Sequence, residues 1–282
     1  LQLAEVLQHI DRRLAQVESA IGSLLIANVV KTLDFELPQI PRYADPQRLH
    51  RKAAQVCSQN GEDGMIAEVF RRIGTKDRTF VEIGVGDGHE NNSAFLLAQG
   101  WHGWWLDGDP RFARTLEARA DLRESVVPYV GYLTRDNVAQ AFAAMSVPTE
   151  FDFLSVDVDQ NTYYIWEALA AYRPRAVVVE YNASIPPDVA WAVRYDEAAT
   201  WDGRKNFGDS LKTYELHGQK LGYSLVGCDF IGVNAFFVRN DLAAGHFAAP
   251  FTAENHYEPP RYHFSYRRGH RRRILDVSDP KS

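Results

Sequence analysis

Two aspartates at the end of an apolar run are the strongest chemical signal in this sequence. The stretch EFDFLSVDVDQN (150–161) is largely apolar up to Val156 and then places Asp157 and Asp159 two positions apart. Like charges at the end of a buried strand are costly unless a proton, a cofactor or a cation opposes them. The two carboxylates are therefore candidate catalytic or ligand-binding groups.

A second apolar run, RAVVVEYN (175–182), also ends in oxygen donors, those of Glu180 and Asn182. The carboxyl ends of neighbouring parallel strands lie about 5 Å apart, so these groups are expected to meet Asp157. Oxygen donors suit Mg²⁺, with Mn²⁺ or Ca²⁺ as alternatives, better than they suit a thiophilic metal. The competing interpretation makes Asp157 a helix cap and Glu180 a salt-bridge partner.

A glycine-rich loop, VEIGVGDGHE (81–90), joins a predicted strand to the next helix. It contains Gly84, Gly86 and Gly88, and histidine follows where the dinucleotide fingerprint requires its third glycine. Glu82, just before the loop, suits the amino group of a ligand better than a diphosphate. Asp107 ends the second strand, where a carboxylate can accept both hydroxyls of a ribose. These features predict a nucleoside-containing ligand, and a tight structural turn is the alternative.

Alternating helical and strand patterns from about residue 50 supply the frame for these groups. Near-continuous apolar strands between helices indicate a parallel sheet covered on both faces. The strands are predicted at 79–84, 103–107, 125–133, 151–157, 175–181, 223–228 and 234–239. The predicted helices span 60–74, 93–100, 110–120, 137–145, 162–172 and 210–222. The expected fold is α/β, a Rossmann-like doubly wound sheet of about seven strands, mostly parallel, with an antiparallel terminal strand.

The first 35 residues have a different periodicity. Apolar residues recur at spacings of 4, 3, 4, 3, 4 and 3, which is a heptad seam. The seam consists of Leu3, Leu7, Ile10, Leu14, Val17, Ile21 and Leu24. We predict a coiled-coil helix over 1–35 that holds a homo-oligomer together; the alternative is an amphipathic helix packed on its own domain. A linker over 36–50, a main domain over 51–245 and a basic tail over 246–282 complete the predicted organisation.

Two segments are candidate contact surfaces. The stretch 183–209 is long for a connection after a strand and is rich in aromatic and polar side chains. We predict that it covers the acceptor substrate through Trp201, Asp202 and Lys205, with an oligomer contact as the alternative. The tail RYHFSYRRGHRRR (261–273) is basic with interleaved aromatics, which makes nucleic acid or an anionic membrane surface a candidate partner. A solvated surface, or a contact with an acidic patch of another subunit, is the favoured alternative for this tail.

Overall composition excludes several classes of protein. The 282 residues carry a net charge of −6, which disfavours nucleic acid as the main partner. Two cysteines form no disulfide framework, so a reducing, cytoplasmic location is expected. The sequence has no apolar run near the roughly 20 residues that a membrane span requires. Because residue 1 is leucine, we expect the natural chain to begin earlier.

Five motifs together resemble class I S-adenosylmethionine-dependent methyltransferases, and more narrowly their FkbM-like group. They are SQNGEDGMIAEVFRRIG (58–74), FVEIGVGDG (80–88), WWLDGDP (104–110), DFLSVDVD (152–159) and VVVEYNASIPP (177–187). The resemblance covers roughly residues 55–240. It implies a cofactor site in which Glu82, Gly84 and Gly86 line the methionine moiety and Asp107 binds the ribose. It further implies that Gly131 and Tyr132 lie near the adenine and that Gln59 and Asp63, on the preceding helix, close the pocket.

The acidic strand ends are also similar to those of catechol O-methyltransferase and of metal-dependent sugar O-methyltransferases. That resemblance implies a cation, held by Asp157, Glu180 and Asn182, that lowers the pKa of the attacking hydroxyl. The catechol enzyme has a lysine base three residues after its first ligand, where this sequence has Gln160. The base is therefore unassigned, with Asp159 the first candidate and His89 the second.

The expected function is S-adenosylmethionine-dependent O-methylation of a sugar hydroxyl in a surface polysaccharide or a glycosylated metabolite. A non-catalytic scaffold that keeps the same fold is the main alternative, and binding of the cofactor would argue against it. A nicotinamide-dependent enzyme is disfavoured because the third fingerprint glycine is missing.

Overall fold

One seven-stranded sheet forms the centre of the computed structural model, which describes residues 2–88, 90–118, 122, 124–199 and 208–262. The strands are β1 Thr79–Ile83, β2 His102–Asp107, β3 Val126–Val130, β4 Phe153–Val156, β5 Ala176–Glu180, β6 Tyr223–Cys228 and β7 Asn234–Arg239. Their order across the sheet is β3-β2-β1-β4-β5-β7-β6. Strands β1 to β5 pair in parallel, and β7 is antiparallel to both of its neighbours. The predicted fold class is therefore confirmed.

Helices cover both faces of the sheet. Successive side chains of the central strands point to opposite faces and so belong to two different cores. In β1, Val81 and Ile83 belong to one buried cluster and Phe80 belongs to the other. The α-helices are α1 Gln2–Val30, α2 Pro41–Ala44, α3 Glu62–Ile73, α4 Ala94–Ala98, α5 Pro110–Ala118, α6 Val138–Ala144, α7 Thr162–Ala168, α8 Leu211–Leu221, α9 Asn240–Ala243 and α10 Ala253–His256. Burial on two sides explains why the strands are apolar at nearly every position.

The register of the central strands brings three carboxyl ends to one edge of the sheet. Ile83 of β1 pairs with Val156 of β4, and Val156 lies beside Val179 of β5. The residues that follow these three positions are Gly84, Asp157 and Glu180. The strand ends singled out in the sequence therefore lie side by side.

The N-terminal helix α1 does not bury its apolar seam on the domain. The seven seam residues are 46 to 73 % exposed. The alternative of an amphipathic helix packed on its own domain is therefore wrong, while the coiled coil remains a prediction. In the part of the chain that the structure describes, no helix, α1 included, combines the length and the apolar character that crossing a membrane would require.

The segment predicted as a linker, 36–50, is folded against the domain. Leu37 and Tyr43 are buried beside Phe230 and Ile231. The Tyr43 hydroxyl donates to Oε2 of Glu258 over 2.8 Å. The packed domain therefore extends beyond 51–245 on both sides, into part of the predicted linker and part of the predicted tail.

Candidate active site

Gly84 joins the ends of β1 and β4 at the centre of the site. It adopts a φ of +85°, and a Cβ atom there would lie 1.6 Å from the carbonyl oxygen of Asp157. The Asp157 N–H donates to the carbonyl of Ile83 over 2.9 Å. Only glycine combines this backbone conformation with so close an approach, so the structural reason for Gly84 lies in its contact with β4.

Gly86 and Asp107 fix the next turn of the loop. The Gly86 N–H donates to Oδ2 of Asp107 over 2.6 Å, and the Asp109 N–H donates to Oδ1 over 2.6 Å. Gly86 has a φ of +62°, and its Cβ position has no atom within 4 Å. Asp107 thus orients the loop, while the face of Gly86 stays open to a ligand.

A first cavity of about 340 Å³ lies against this loop. It unites five residues that the sequence assigned to the cofactor, namely Gly84, Gly86, Asp107, Gly131 and Tyr132. Leu133 adds an apolar side chain to the wall, which suits the flat face of a base. We call this the nucleoside cavity.

A second cavity of about 400 Å³ adjoins it, and Gly84, Gly86 and Asp157 line both. Its wall contains six carboxylates and one guanidinium, that of Arg111. The carboxylates belong to Glu62, Glu82, Asp87, Glu90, Asp157 and Glu180. We call this the acidic cavity, and its shared wall places Asp157 between the two.

Glu82 is buried in the wall of the acidic cavity and accepts hydrogen bonds from residues 91–93. Its carboxylate accepts hydrogen bonds from Asn91 Nδ2 at 2.7 Å, from the Asn92 N–H at 2.8 Å and from both the N–H and the hydroxyl of Ser93. Burial raises its pKa, and the hydrogen bonds from Ser93 and Asn91 oppose that shift. Glu82 lines the cavity as predicted for a methionine-binding residue, but it also holds the segment after the glycine loop.

Asp63 does not take the place predicted for it. Its Oδ2 accepts the backbone N–H groups of Val56, Cys57 and Ser58 at 2.6 to 2.9 Å. It lines neither cavity among the described residues. Asp63 therefore shapes the loop that carries Gln59, which does line the acidic cavity and lies before α3 rather than on it.

Three carboxylates converge where β4 and β5 end. Asp157, Asp159 and Glu180 each offer an oxygen within 4.8 Å of the others. Because β4 ends at Val156, the two aspartates do not alternate on a strand, and Asp159 has a φ of +54°. We call this group the acidic triad.

The crowded carboxylates of the acidic triad raise one another's pKa values. Removal from bulk water and the nearby charge of Asp159 raise the pKa of Asp157 to about 7, although its carboxylate opens into the cavities. Burial and the charge of Asp157 raise the pKa of Glu180 well above its usual value. The competing interpretation made Asp157 a helix cap and Glu180 a salt-bridge partner. Among the described residues, Glu180 has no salt bridge and Asp157 does not cap α7, so that interpretation is wrong for this part of the chain.

Asn182 is hydrogen-bonded to the backbone of the segment that follows β5. Its Oδ1 accepts the N–H of Ser184 over 3.0 Å, and its own N–H donates to the carbonyl of Asp209 over 2.9 Å. It lines neither cavity among the described residues. Asp159 therefore joins Asp157 and Glu180 in the acidic triad, and Asn182 stays a predicted ligand.

Glu62 lines the acidic cavity, and the sequence analysis did not single it out. It is buried and accepts hydrogen bonds from Asn234 Nδ2 at 2.7 Å and from the Asn60 N–H at 2.7 Å. Asn234 lies directly opposite Glu180 in the β5–β7 pairing. Glu62 therefore ties the start of α3 to the strand that carries a triad member. The motif SQNGED was the available signal, but it did not disclose which strand Glu62 contacts.

The predicted acceptor lid begins over the nucleoside cavity. Glu197 and Ala199 line that cavity. Asn161 Nδ2 donates to the carbonyl of Asp196 over 2.8 Å, and the Tyr164 hydroxyl donates to that of Val193 over 2.7 Å. These bonds anchor residues 193–199 to the start of α7. The predicted acceptor contacts Trp201, Asp202 and Lys205 lie outside the described residues, as do His89 and positions 263–282 of the tail.

Crowding of the triad has a measurable consequence for stability. The pKa of Asp157 rises from 3.8 to about 7 in the folded protein. Between these values the folded chain binds more protons than the unfolded chain, so the contribution of Asp157 to the free energy of unfolding falls as pH rises. We expect the unfolding temperature, measured in chelator, to fall when the pH is raised from about 5 to about 8. This fall should be larger for the unmodified protein than for Asp157→Asn. Equal pH profiles would contradict this crowding.

Comparisons with known proteins give structural similarity only. No family model matches the chain, and no curated protein matches it. The N-terminal domain of EvdMO1 with SAH bound is 12 % identical, with a TM-score of 0.41 over 64 % of this chain and 80 % of that one. The Methanococcus jannaschii fibrillarin pre-rRNA processing protein is 16 % identical, with a TM-score of 0.41 over 64 % and 77 %.

The O-methyltransferase from Bacillus cereus in complex with SAH is 22 % identical to this chain. Its TM-score is 0.32, and the match covers 42 % of this chain and 55 % of that one. Similarities this low leave the reaction of the chain to be inferred from its own residues.

Proposed function

We propose that this protein is an S-adenosylmethionine-dependent O-methyltransferase, assisted by a divalent cation, that acts on a sugar hydroxyl of a surface polysaccharide or a glycosylated metabolite. The observation that carries the proposal is the position of Asp157 between two adjoining cavities. One cavity has the features of a nucleoside site, and the other is polar and acidic. A donor with its nucleoside in the first cavity and its methionine moiety beside Glu82 in the second would meet an acceptor, also in the acidic cavity, beside the triad.

The residues of the nucleoside cavity fit the cofactor. Both Asp107 oxygens already accept a backbone N–H, but each carboxylate oxygen has a second lone pair for a ribose hydroxyl. The open space above Gly86 allows the backbone to approach a ligand closely. A volume of about 340 Å³ is also within the range of small-molecule sites.

The acidic triad fits a hard divalent cation. Three carboxylates with oxygens within 4.8 Å of one another are the donor set that Mg²⁺, Mn²⁺ or Ca²⁺ prefers. Asp157, Asp159 and Glu180 would hold the ion. When bound, the cofactor supplies an electrophilic methyl group, and the cation lowers the pKa of a hydroxyl placed beside it.

The remaining task for this chain is to orient the acceptor and remove its proton. The polar wall of the acidic cavity offers amide groups from Asn60 and Asn92 together with Arg111, which suits a ligand rich in hydroxyls. Asp159 is the candidate base from sequence. Without the cation, the pKa of Asp157, raised to about 7, would let the triad hold a proton near neutral pH.

The cofactor assignment predicts the effect of Asp107→Ala. This change removes a charged acceptor from the ribose and from the Gly86 N–H. We expect SAH to bind at least about tenfold more weakly, as the loss of charged hydrogen bonds implies. Calorimetry with SAH would measure this, and Asp77→Asn, at the opposite end of β1, is the control.

Glu82→Gln should weaken SAH binding similarly. Its unfolding temperature must also be recorded, because Glu82 accepts hydrogen bonds from Ser93.

Two results would overturn the assignment. Tight binding of a nicotinamide dinucleotide without binding of SAH would indicate a different enzyme class. Failure of the folded chain to bind SAH would favour the scaffold alternative. The acceptor can be sought by incubating candidate glycans with isotopically labelled S-adenosylmethionine and locating the label by mass spectrometry.

A further inference from the structure

An uncovered apolar seam runs along the N-terminal helix. Its residues Leu3, Leu7, Ile10, Leu14, Val17, Ile21 and Leu24 are between 46 and 73 % exposed. Single exposed leucines are ordinary, but a continuous stripe on a 29-residue helix marks an interaction surface. The strict 3.5-residue period is that of a coiled-coil core rather than of a helix lying on a globular domain.

The charges of α1 favour a protein partner over a membrane. The helix carries Glu5, Asp11 and Glu18 against Arg12 and Arg13, so its polar face is not the lysine- and arginine-rich face that binds anionic lipids. A narrow seam also buries less surface in a bilayer than the broad apolar face of interfacial helices.

The pattern is complementary to itself when two copies lie parallel and in register. The spacing assigns Leu7, Leu14 and Ile21 to heptad position a, and the intervening seam residues to position d. Arg13 then occupies position g and Glu18 occupies position e, five residues later. This separation pairs the g residue of one helix with the e residue of the other in a parallel coiled coil.

Two further positions point to the same orientation. Asn28 continues the a positions and is exposed, and an asparagine there pairs with its own counterpart in a parallel, in-register coiled coil. In an antiparallel pair, e positions would face each other, which would oppose Asp11 and Glu18 of the two chains. We propose that α1 forms a parallel, in-register coiled coil with another copy of this chain, independently of the reaction proposed above.

Light scattering on the full chain tests the association. The unmodified protein should have a mass that is a multiple of 32.0 kDa. Leu14→Asp puts a charge in the seam and should give the single-chain mass. Gln16→Asp adds the same charge at an exposed position outside the seam and should keep the assembled mass. Unfolding of the domain should be unchanged in both variants, because the side chains of residues 14 and 16 are exposed in the single chain.

Two measurements test the orientation. Leu3→Cys should form a disulfide between copies, since parallel helices place residue 3 beside its counterpart, whereas an antiparallel pair would separate them by about 30 Å. The natural cysteines Cys57 and Cys228 are buried and do not compete. Arg13→Glu should weaken association by about tenfold, and adding Glu18→Arg should restore it.

Several outcomes would overturn the proposal. They are a monomeric full chain at micromolar concentration, an unchanged mass for Leu14→Asp, and a monomer that sediments with phosphatidylglycerol vesicles. Failure of the Leu3→Cys disulfide together with no rescue by the double charge reversal would exclude the parallel arrangement. None of these results bears on cofactor binding, so the proposed reaction is tested separately.

Discussion

Asp157→Asn should lower methyl transfer by about three orders of magnitude while leaving SAH binding largely intact. Asparagine keeps the shape of the side chain but removes one of the three charges that converge at the ends of β4 and β5. The triad would then lose the donor set that suits a divalent cation, and the acceptor hydroxyl would keep its high pKa. The ribose-binding contacts lie on the glycine loop and β2, so they should survive the change.

The matched control is Asp77→Asn, which makes the same chemical change at the opposite end of β1. It should leave turnover unchanged. Excess chelator should reproduce the effect of Asp157→Asn on the unmodified protein, and added Mg²⁺ should reverse it. Binding of Mn²⁺, followed by its magnetic resonance signal, should be lost in Asp157→Asn even before an acceptor is known.

The possible results separate three mechanisms. Full activity of the unmodified protein in excess chelator would exclude a cation from the mechanism. The triad would then act as a base. Full activity of Asp157→Asn would place the chemistry elsewhere. Loss of both SAH binding and activity would show that Asp157 serves the cofactor rather than the acceptor.

The sheet could be predicted from sequence because its strands are short apolar runs bounded by polar or glycine residues. The bounds of β6 and β7 match the predicted 223–228 and 234–239. Strand β3 was predicted to reach residue 133, but it ends at Val130. After Val130 the chain continues as a loop, in which the Gly131 N–H donates to the carbonyl of Asp107. Apolar character alone does not show where the strand ends.

Long-range packing was not predictable from local pattern. The segment 36–50 is rich in proline and resembles a linker, yet Tyr43 is buried against Phe230 and Glu258. These partners lie about two hundred residues further along the chain. These contacts form only in the complete fold. A proline-rich segment has no hydrophobic periodicity from which its packing partners could be predicted.

The candidate site shows the same division between what is local and what is not. Asp157 and Glu180 were predictable because parallel strands end at one edge of the sheet. Asp63 and Asn182 have suitable side chains, but each is engaged by nearby backbone N–H groups. A carboxylate or amide that caps a loop and one that faces a cavity look alike in sequence, because the difference depends on side-chain direction.

Gly84→Ala should reduce the free energy of unfolding by at least about 3 kcal/mol. The φ of +85° costs an alanine about 1–2 kcal/mol. The larger effect is steric, because the new Cβ atom would lie 1.6 Å from the carbonyl oxygen of Asp157. The ends of β1 and β4 would have to separate, which would break the hydrogen bond from the Asp157 N–H to Ile83.

Gly86→Ala, two residues away, is the matched control for this prediction. It also has a positive φ, of +62°, but its Cβ position has no atom within 4 Å. It should therefore cost only about 1–2 kcal/mol. Its methyl group would project where the ligand must approach, so SAH binding should weaken although the fold persists. Denaturant unfolding and SAH calorimetry on both variants separate the two effects. Equal stabilities for Gly84→Ala and Gly86→Ala would show that contact with Asp157 is not what requires a glycine at position 84.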